Sequence, residues 1–464
     1  MAFQTIPEIL VAAADREADR VWLRTDDGSV SFAGALAAVA TIGDRLRAAG
    51  VGRGDLVVVT ARTTPPYALT WLALAALGAV AVTTNPASAP AELRGLVDQT
   101  RPRALVTDRG LAGLVDAAGV EVPLLDVDDL VGDWTRPIPR AIEPGFGNDI
   151  GPADIAVLIP TSGTTGRSKL VMQSHRAYAM AGEGFPWWLE LTRDDVLMTS
   201  LPLFHLNAPA YSLMGSLAGG AGLVLLDRFS GSGFLDSARR HRATQFNAIG
   251  AMIEILMRQP ERDDDADNPL RLAYTGPSPS EERQLQIERR FGLRVMCGYA
   301  MSESPYGLIW PRGTRPFGTL GVPRQHPTLG HVNDARVLDA AGDDVGAGGS
   351  GELLLRNPTV TPGYWQMPEE TARVIVDGWL HTGDLVTANA DGTFTFIARL
   401  KEVLRRRGEN LSPVEVEEVL EVHPDVLEAA VVGVPSDLSE EEVKAFVVPV
   451  PGATVDFEEL RRFA

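Results

Sequence analysis

Apolar and polar positions along the chain repeat with two periods. Residues 6–18, 32–49, 66–77 and 90–99 place their apolar positions at helical spacing, and the second of these runs stops at Gly50. Between them lie short apolar, β-branched runs at 30–32, 55–60, 79–83 and 102–107, which read as strands. Repeated strand–helix alternation implies parallel strands covered by helices on both faces. The same grammar continues with strands at 155–159, 196–200, 222–226, 244–248, 270–274 and 294–297 and a helix at 234–241, while the charged run 258–269 reads as an exposed loop. After about residue 316 the pattern changes to short alternating strands with glycine turns, at 332–338, 351–356 and 393–398. From Arg399 the chain is more charged. Ser412-Pro413-Val414-Glu415 is a helix start, with Ser as cap, Pro first and Glu third, and His423-Pro424 stops that helix. Strands follow at 429–434 and 445–450, and a last helix from near Asp456 is cut by the chain end after about two turns. The expected fold is α/β: a large N-terminal domain over 1–399 built of parallel α/β sheets, with a β-rich subdomain from about 316 to 399, and a small α+β C-terminal domain over 400–464 that reads as incomplete.

Composition narrows the partners. At 464 residues the chain exceeds one ordinary core, so two or three domains are expected. Its 42 basic and 61 acidic side chains give 42 − 61 = −19, which argues against a nucleic-acid partner. The single cysteine, Cys297, excludes an intrachain disulfide and fits a reducing compartment; inside a strand-like run it reads as a packed thiol rather than a nucleophile. The N-terminus lacks the basic and apolar regions of a signal peptide. The apolar stretch 68–82, at about 15 residues, is short for a membrane span and reads better as a buried helix running into a strand. A cytoplasmic protein without a membrane span is expected. Nothing in the sequence speaks to oligomeric state.

The sharpest chemical signal follows the strand at 155–159. Thr161-Ser162-Gly163-Thr164-Thr165-Gly166 offers four hydroxyls and two glycines, and Lys169 adds a full charge. Glycine permits positive φ and close approach, so such a loop can turn N–H and hydroxyl groups toward an anion, with phosphate the obvious guest. It is not a Walker A loop, since Arg167 and Ser168 separate Gly166 from Lys169. Glycine, serine and threonine alone would read as a solvated loop; the lysine tips the balance toward phosphate.

Six stretches in order carry a family resemblance: residues 161–169, Pro202-Leu203-Phe204-His205, Gly298-Tyr299-Ala300-Met301-Ser302-Glu303, Trp379-Leu380-His381-Thr382-Gly383-Asp384, Arg399-Leu400-Lys401-Glu402 and Gly408-Glu409-Asn410. The chain resembles the acyl-adenylate-forming superfamily of acyl-CoA synthetases, peptide-synthetase adenylation domains and luciferases. Residues 407–412 and 246–250 look most like its crotonobetaine/carnitine-CoA ligase-like branch. The resemblance implies ATP-dependent activation of a small carboxylic acid to an acyl-AMP with release of pyrophosphate, then transfer to coenzyme A. It also implies a mobile small domain.

Carried over by position, Thr161, Ser162, Gly163, Thr164, Thr165, Gly166 and Lys169 would hold the β- and γ-phosphates of ATP. Glu303 would ligate Mg²⁺, as a hard oxygen donor suits that ion, and Ser302 would donate to the α-phosphate. Gly276, Pro277, Ser278 and Tyr299 would enclose the adenine, Asp384 would accept from the ribose hydroxyls, Arg399 would reach ribose or phosphate, and Lys401 would be the hinge. The acyl pocket would involve Asn207, Ala208, Asn247, Ile249, Ser304, Tyr306 and Trp187, with His205 either a gate over the acyl channel or a packed core residue. Asn207 and Asn247 hint at a polar acid, although buried amides find partners in protein as readily. Read singly, Glu303 is a surface carboxylate, Asp384 a turn residue and Arg405-Arg406-Arg407 a solvated run. Ser168, Leu170, Ala300 and Ser302 depart from the family pattern locally, and the family's C-terminal adenylation lysine has no counterpart after Glu459; Lys444 sits in a strand-like run and does not fit. Two other functions stay open: a different acceptor (a carrier protein, an amine, or nitrite in ATP-dependent diazotisation), and nucleotide binding without catalysis.

Overall fold

The computed structural model describes residues 3–138, 140–143, 145–161, 168–276, 278–400, 404–406, 409–411, 413–435 and 441–463. They divide into two compact units, residues 1–334 with 356–375, and residues 335–355 with 376–464. The boundary expected between 399 and 400 lies inside the second unit.

In the first unit every helix and strand read between residues 6 and 107 forms, with ends within two residues of the expected ones. Local chemistry explains the boundaries. Ser31 accepts from the Gly34 amide at 3.1 Å and starts Phe32–Ala48. Pro65 opens Pro65–Leu77, and Gly78 ends it at φ +71°. That helix is buried from residue 65 to 75, as expected of a helix apolar all round, and it runs into the strand Val80–Thr83. The long apolar run is thus core; no helix among the described residues is long and apolar enough to cross a membrane.

Among the described residues, six strands form one sheet in the order Leu124–Asp126, Ala104–Thr107, Leu56–Thr60, Val80–Thr83, Ile155–Thr161, Lys169–Ser174, parallel except for the last pair. Nine form a second sheet in the order Val322–Pro323, Ser304–Ile309, Arg294–Met301, Leu272–Thr275, Gln245–Asn247, Val196–Thr199, Gly222–Leu225, Val21–Thr25, Gly28–Ser31. Its centre is parallel and its two ends antiparallel.

Three details correct the sequence reading. The strand at 294–297 continues to Met301, and Ser304–Ile309, buried at all six positions, returns beside it. The helix Glu281–Phe291 went unread although Ser280 caps it, acids fill its first turn and arginines its last. The 258–269 loop is not simply exposed: Arg290 reaches Asp265 at 2.8 Å and the Met257 carbonyl at 2.6 Å, and Asp265 is buried. Cys297 is buried as expected, and burial pushes its thiol up to about 12.

The second unit holds a five-stranded sheet ordered Asp334–Leu338, Ser350–Arg356, Trp379–Ala388, Ile375–Val376, with Phe394–Arg399 on Trp379–Ala388. The hairpin Val426–Pro435/Glu441–Pro449 packs Val426, Ala429 and Val431 on Leu420 of Pro413–Glu421 and Leu460 of Phe457–Phe463. The α/β architecture, with a large parallel-sheet portion and a smaller C-terminal one, is as read.

His175, at the start of His175–Trp188, is buried with neither ring nitrogen hydrogen-bonded, and burial lowers its pKa to about 4. The unfolded chain, titrating near 6.5, then binds more protons below that pH, so stability rises with pH between about 4 and 6.5. Taking the protein from pH 7 to pH 5 is expected to remove about 2 kcal/mol through this group. Urea unfolding at both pH values should show that loss shrinking in His175→Gln.

Candidate functional site

Parallel strands bring the candidate residues to one sheet edge. Arg294–Met301, Leu272–Thr275, Gln245–Asn247 and Val196–Thr199 are successive neighbours, all parallel. The residues after their carboxyl ends therefore share that edge: Ser302 and Glu303, Gly276 and Ser278, Ile249, and the segment ending at His205. Open α/β sheets bind ligands at such edges. A Cβ on Gly276 would sit 2.5 Å from the Gly298 carbonyl oxygen, so only glycine lets these two backbones approach. The 202–205 segment is held from the other sheet, the Leu203 amide donating to Thr63 at 3.1 Å and Thr83 to the Phe204 carbonyl at 2.9 Å.

The segment 357–375, unread in the sequence, joins this edge to the strand Lys169–Ser174. Thr161 pairs with Lys169 where the antiparallel strands meet. Residues 363–365 lie along the outer side of the Lys169–Ser174 strand, with the Met172 amide donating to the Gly363 carbonyl at 3.1 Å and the Trp365 amide to the Leu170 carbonyl at 2.8 Å. Gly363 has φ +138°, and a Cβ there would meet Thr371 at 2.4 Å. The Thr361 amide donates to the Glu303 carbonyl at 2.7 Å, and the Tyr364 hydroxyl to the Glu303 carboxylate at 2.9 Å. Gln173, fully buried, donates to the Ser302 carbonyl at 2.5 Å. Lys169 places its ammonium 5.1 Å from the centre of the Tyr364 ring and 2.7 Å from a Glu370 oxygen. Lys169 and Glu303, 134 positions apart in the chain (303 − 169), thus meet one tyrosine, the lysine over its ring and the glutamate at its hydroxyl. Tyr364, Thr361, Gln173 and Glu370 escaped the sequence reading. The Gly363-Tyr364-Trp365 cluster between two strand runs was the available signal.

The remaining candidates divide. Residues 162–166, Pro277 and Lys401 lie outside the described residues. Tyr299 is half-buried, its hydroxyl 3.7 Å from the Met301 sulfur. Ser278 is half-buried too, its hydroxyl donating to the Pro279 carbonyl at 3.3 Å. His205 is exposed, its ring 4.3 Å from that of Phe204, so it is not a packed core histidine. Asn247 donates to Asn207 at 2.8 Å and accepts from Gln245 at 2.7 Å, so protein satisfies these amides and they no longer argue for a polar acid. Ile249 is half exposed at 51%. Ser304 and Tyr306 are buried, bonded to Asn357 at 3.1 Å and to the Met180 carbonyl at 3.0 Å; the structure turns both into the core. Trp187 is exposed, with the Arg312 guanidinium 5.3 Å from its ring centre. In the second unit, Asp384 is buried and paired with Arg399 at 2.7 Å, beside the turn at Gly383.

Residues 10–365 match the AMP-binding enzyme family, and residues 415–464 match the AMP-binding enzyme C-terminal domain. The chain belongs to the AMP-binding enzyme family. Among curated relatives, the crotonobetaine/carnitine–CoA ligase of Escherichia coli O139:H28 is 31% identical over 437 residues, covering 89% of this chain and 82% of the relative. The same-named ligase of Salmonella agona is also 31% identical over 437 residues, with the same coverage of each chain, 89% and 82%. ATP-bound MatB from Rhodopseudomonas palustris is 26% identical with a TM-score of 0.85, covering 99% of this chain and 92% of that one. The o-succinylbenzoate CoA synthetase of Bacillus subtilis, in complex with its acyl-adenylate intermediate, is 26% identical with a TM-score of 0.85, covering 98% and 90%.

Behind that sheet edge lies Arg324, fully buried with no carboxylate partner among the described residues. Its guanidinium donates to the carbonyls of Leu308 and Pro305, each at 3.0 Å, and to the hydroxyls of Tyr211, at 2.7 Å, and Tyr274. It also lies 4.8 Å from the Trp188 ring centre. Burial opposes its charge, but the Tyr211 and Tyr274 oxygens hold its pKa above the usual range. Arg324→Met strips donors from buried carbonyls and is expected to cost about 3 kcal/mol in urea unfolding. Arg47→Met, which removes an exposed ion pair with Asp44, should cost less than about 1 kcal/mol.

Proposed function

We propose that the chain is an AMP-forming acid–CoA ligase that joins a carboxylic acid to ATP as an acyl-adenylate and then passes the acyl group to coenzyme A. The observation that carries this reading is the junction of Lys169, Tyr364 and Glu303 at the carboxyl edge of the parallel strands, beside Ser302 and Gly276. A cation and a carboxylate held on one rigid ring suit a triphosphate and its metal.

In the adenylation half-reaction a carboxylate oxygen bonds to the α-phosphorus, and the bond to the β-phosphate bridge breaks with its electron pair on pyrophosphate. Lys169 and residues 161–166 would take up that charge, and Ser302 would donate to the α-phosphate. Glu303 fits Mg²⁺, because its carboxylate is a hard donor whose direction the Tyr364 hydroxyl fixes. No three metal-ligating side chains converge among the described residues, so phosphate oxygens and water would complete the shell. Bound Mg²⁺ supplies charge neutralisation on the phosphates. Gly276, Pro277, Ser278 and Tyr299 are assigned to the adenine, Asp384 and Arg399 to the ribose, and Lys401 to the hinge.

With ATP, Mg²⁺, coenzyme A and a panel of carboxylic acids, at least one acid should give AMP and a thioester in equal amounts. AMP formed without coenzyme A but dependent on an amine, nitrite or a carrier protein would instead favour a different acceptor. Because Lys169 is assigned to the leaving pyrophosphate, Lys169→Ala should slow adenylation by about 10²–10³-fold. It should leave thioester formation from a supplied acyl-AMP within about twofold of the parent. Equal loss in both steps would overturn the assignment.

A further inference from the structure

Lys169 already has an anion on it. Its ammonium is 2.7 Å from Oε2 of Glu370, and Oε1 of the same carboxylate accepts from Arg373 at 2.7 Å. The contact with Lys169 holds the Glu370 carboxyl below the usual range, so the group is charged. Glu370 belongs to the short helix Pro368–Val374, whose position is set by its neighbour: the Thr371 hydroxyl accepts from the Tyr364 amide at 2.9 Å and donates to the Met367 carbonyl at 2.8 Å. The carboxylate is therefore delivered to Lys169 by the same residue that holds Glu303. A cavity of about 300 Å³ opens beside the pair, lined by Lys169, Gln366, Met367, Pro368, Glu369 and Glu370. It gives the carboxylate somewhere to go and keeps a second acid, Glu369, at the rim.

We propose that Glu370 is an internal competitor for the distal phosphates of ATP, occupying Lys169 until the nucleotide displaces it and so setting the affinity for ATP. The proposal rests on the nucleotide reading of this site and adds a residue to it. Side chains 26% and 31% exposed make a weak ion pair, so the several charges of a triphosphate outcompete one carboxylate. The displaced carboxylate stays nearby and repels the phosphates, which lowers ATP affinity further. Glu370 is then a positioning residue: it acts on the nucleotide through Lys169 and touches no reacting atom.

Calorimetric titrations of the parent and Glu370→Gln with MgATP and with AMP test this. The Gln variant should bind MgATP about five- to tenfold more tightly, through loss of both the competing pair and the repulsion. Its AMP affinity should be unchanged, since AMP lacks both distal phosphates, and the steady-state gain should appear in KM for ATP rather than in kcat. Glu370→Asp, which keeps the charge, should return ATP affinity toward the parent value. In a Lys169→Gln background the gain from Glu370→Gln should fall to less than about half, because the competing pair is gone and only the repulsion remains. ATP binding that is unchanged or weaker in the Gln variant, or a gain shared equally by AMP, would overturn the competitor. A parent protein that binds neither nucleotide would overturn the nucleotide site itself, and the competitor with it.

Discussion

One buried guanidinium sets the geometry on which the candidate site depends. Arg324 ties together strand Ser304–Ile309 through two carbonyls, strand Leu272–Thr275 through Tyr274, and the π-turn Ala208–Leu213 through Tyr211. An unpaired charge in the interior is costly unless its donors are met and its field is answered by nearby dipoles. Here phenol oxygens, carbonyls and the faces of Trp188, Tyr211 and Tyr274 do both. The arrangement is unforgiving: a Cβ on Gly298 would sit 2.8 Å from the guanidinium and 2.7 Å from the Tyr274 hydroxyl. The end of strand Arg294–Met301 is therefore held on one path, which brings Tyr299, Ser302 and Glu303 to the sheet edge.

A second stitch makes that edge chemically useful. The 356–375 segment returns from the second unit and pairs with the free side of strand Lys169–Ser174, and from there Tyr364 reaches Glu303. A cation that would meet phosphate and a carboxylate that would meet metal are thus held on a common rigid element rather than on two independent loops. Positioned charges of this kind lower a barrier because they need no reorganisation when the leaving group's charge develops. Glu370 fits the same logic in reverse. It supplies a local anion for Lys169, at the expense of competition with the nucleotide.

Much of this was legible in the chain. Most elements from Ile6 to Thr107 could be read because caps, glycines and β-branched runs mark them locally; the strand Val21–Thr25, with Trp22 and Arg24 in its middle, was missed. The Gly298–Glu303 and 161–169 stretches announced their chemistry through residue type and spacing. What could not be read depends on contacts between distant residues. Ser304–Ile309 is buried on both faces and shows no alternation. Arg324 looks like any surface arginine until Tyr211 and Tyr274 close around it. The pairing of Asn207 with Asn247 takes away an apparent clue to the acid. Tyr364 was invisible because its meaning lies in Glu303, 61 residues earlier.

The central claim is that a carboxylate attacks the α-phosphate of ATP at this edge, and oxygen transfer reports on that bond directly. An accepted acid labelled with ¹⁸O in both carboxyl oxygens, incubated with ATP, Mg²⁺, coenzyme A and the protein, passes one labelled oxygen into AMP if an acyl-adenylate forms. Mass spectrometry of the nucleotide should therefore show AMP heavier by one ¹⁸O, with pyrophosphate unlabelled. Unlabelled AMP, or label in pyrophosphate or inorganic phosphate, would contradict adenylation.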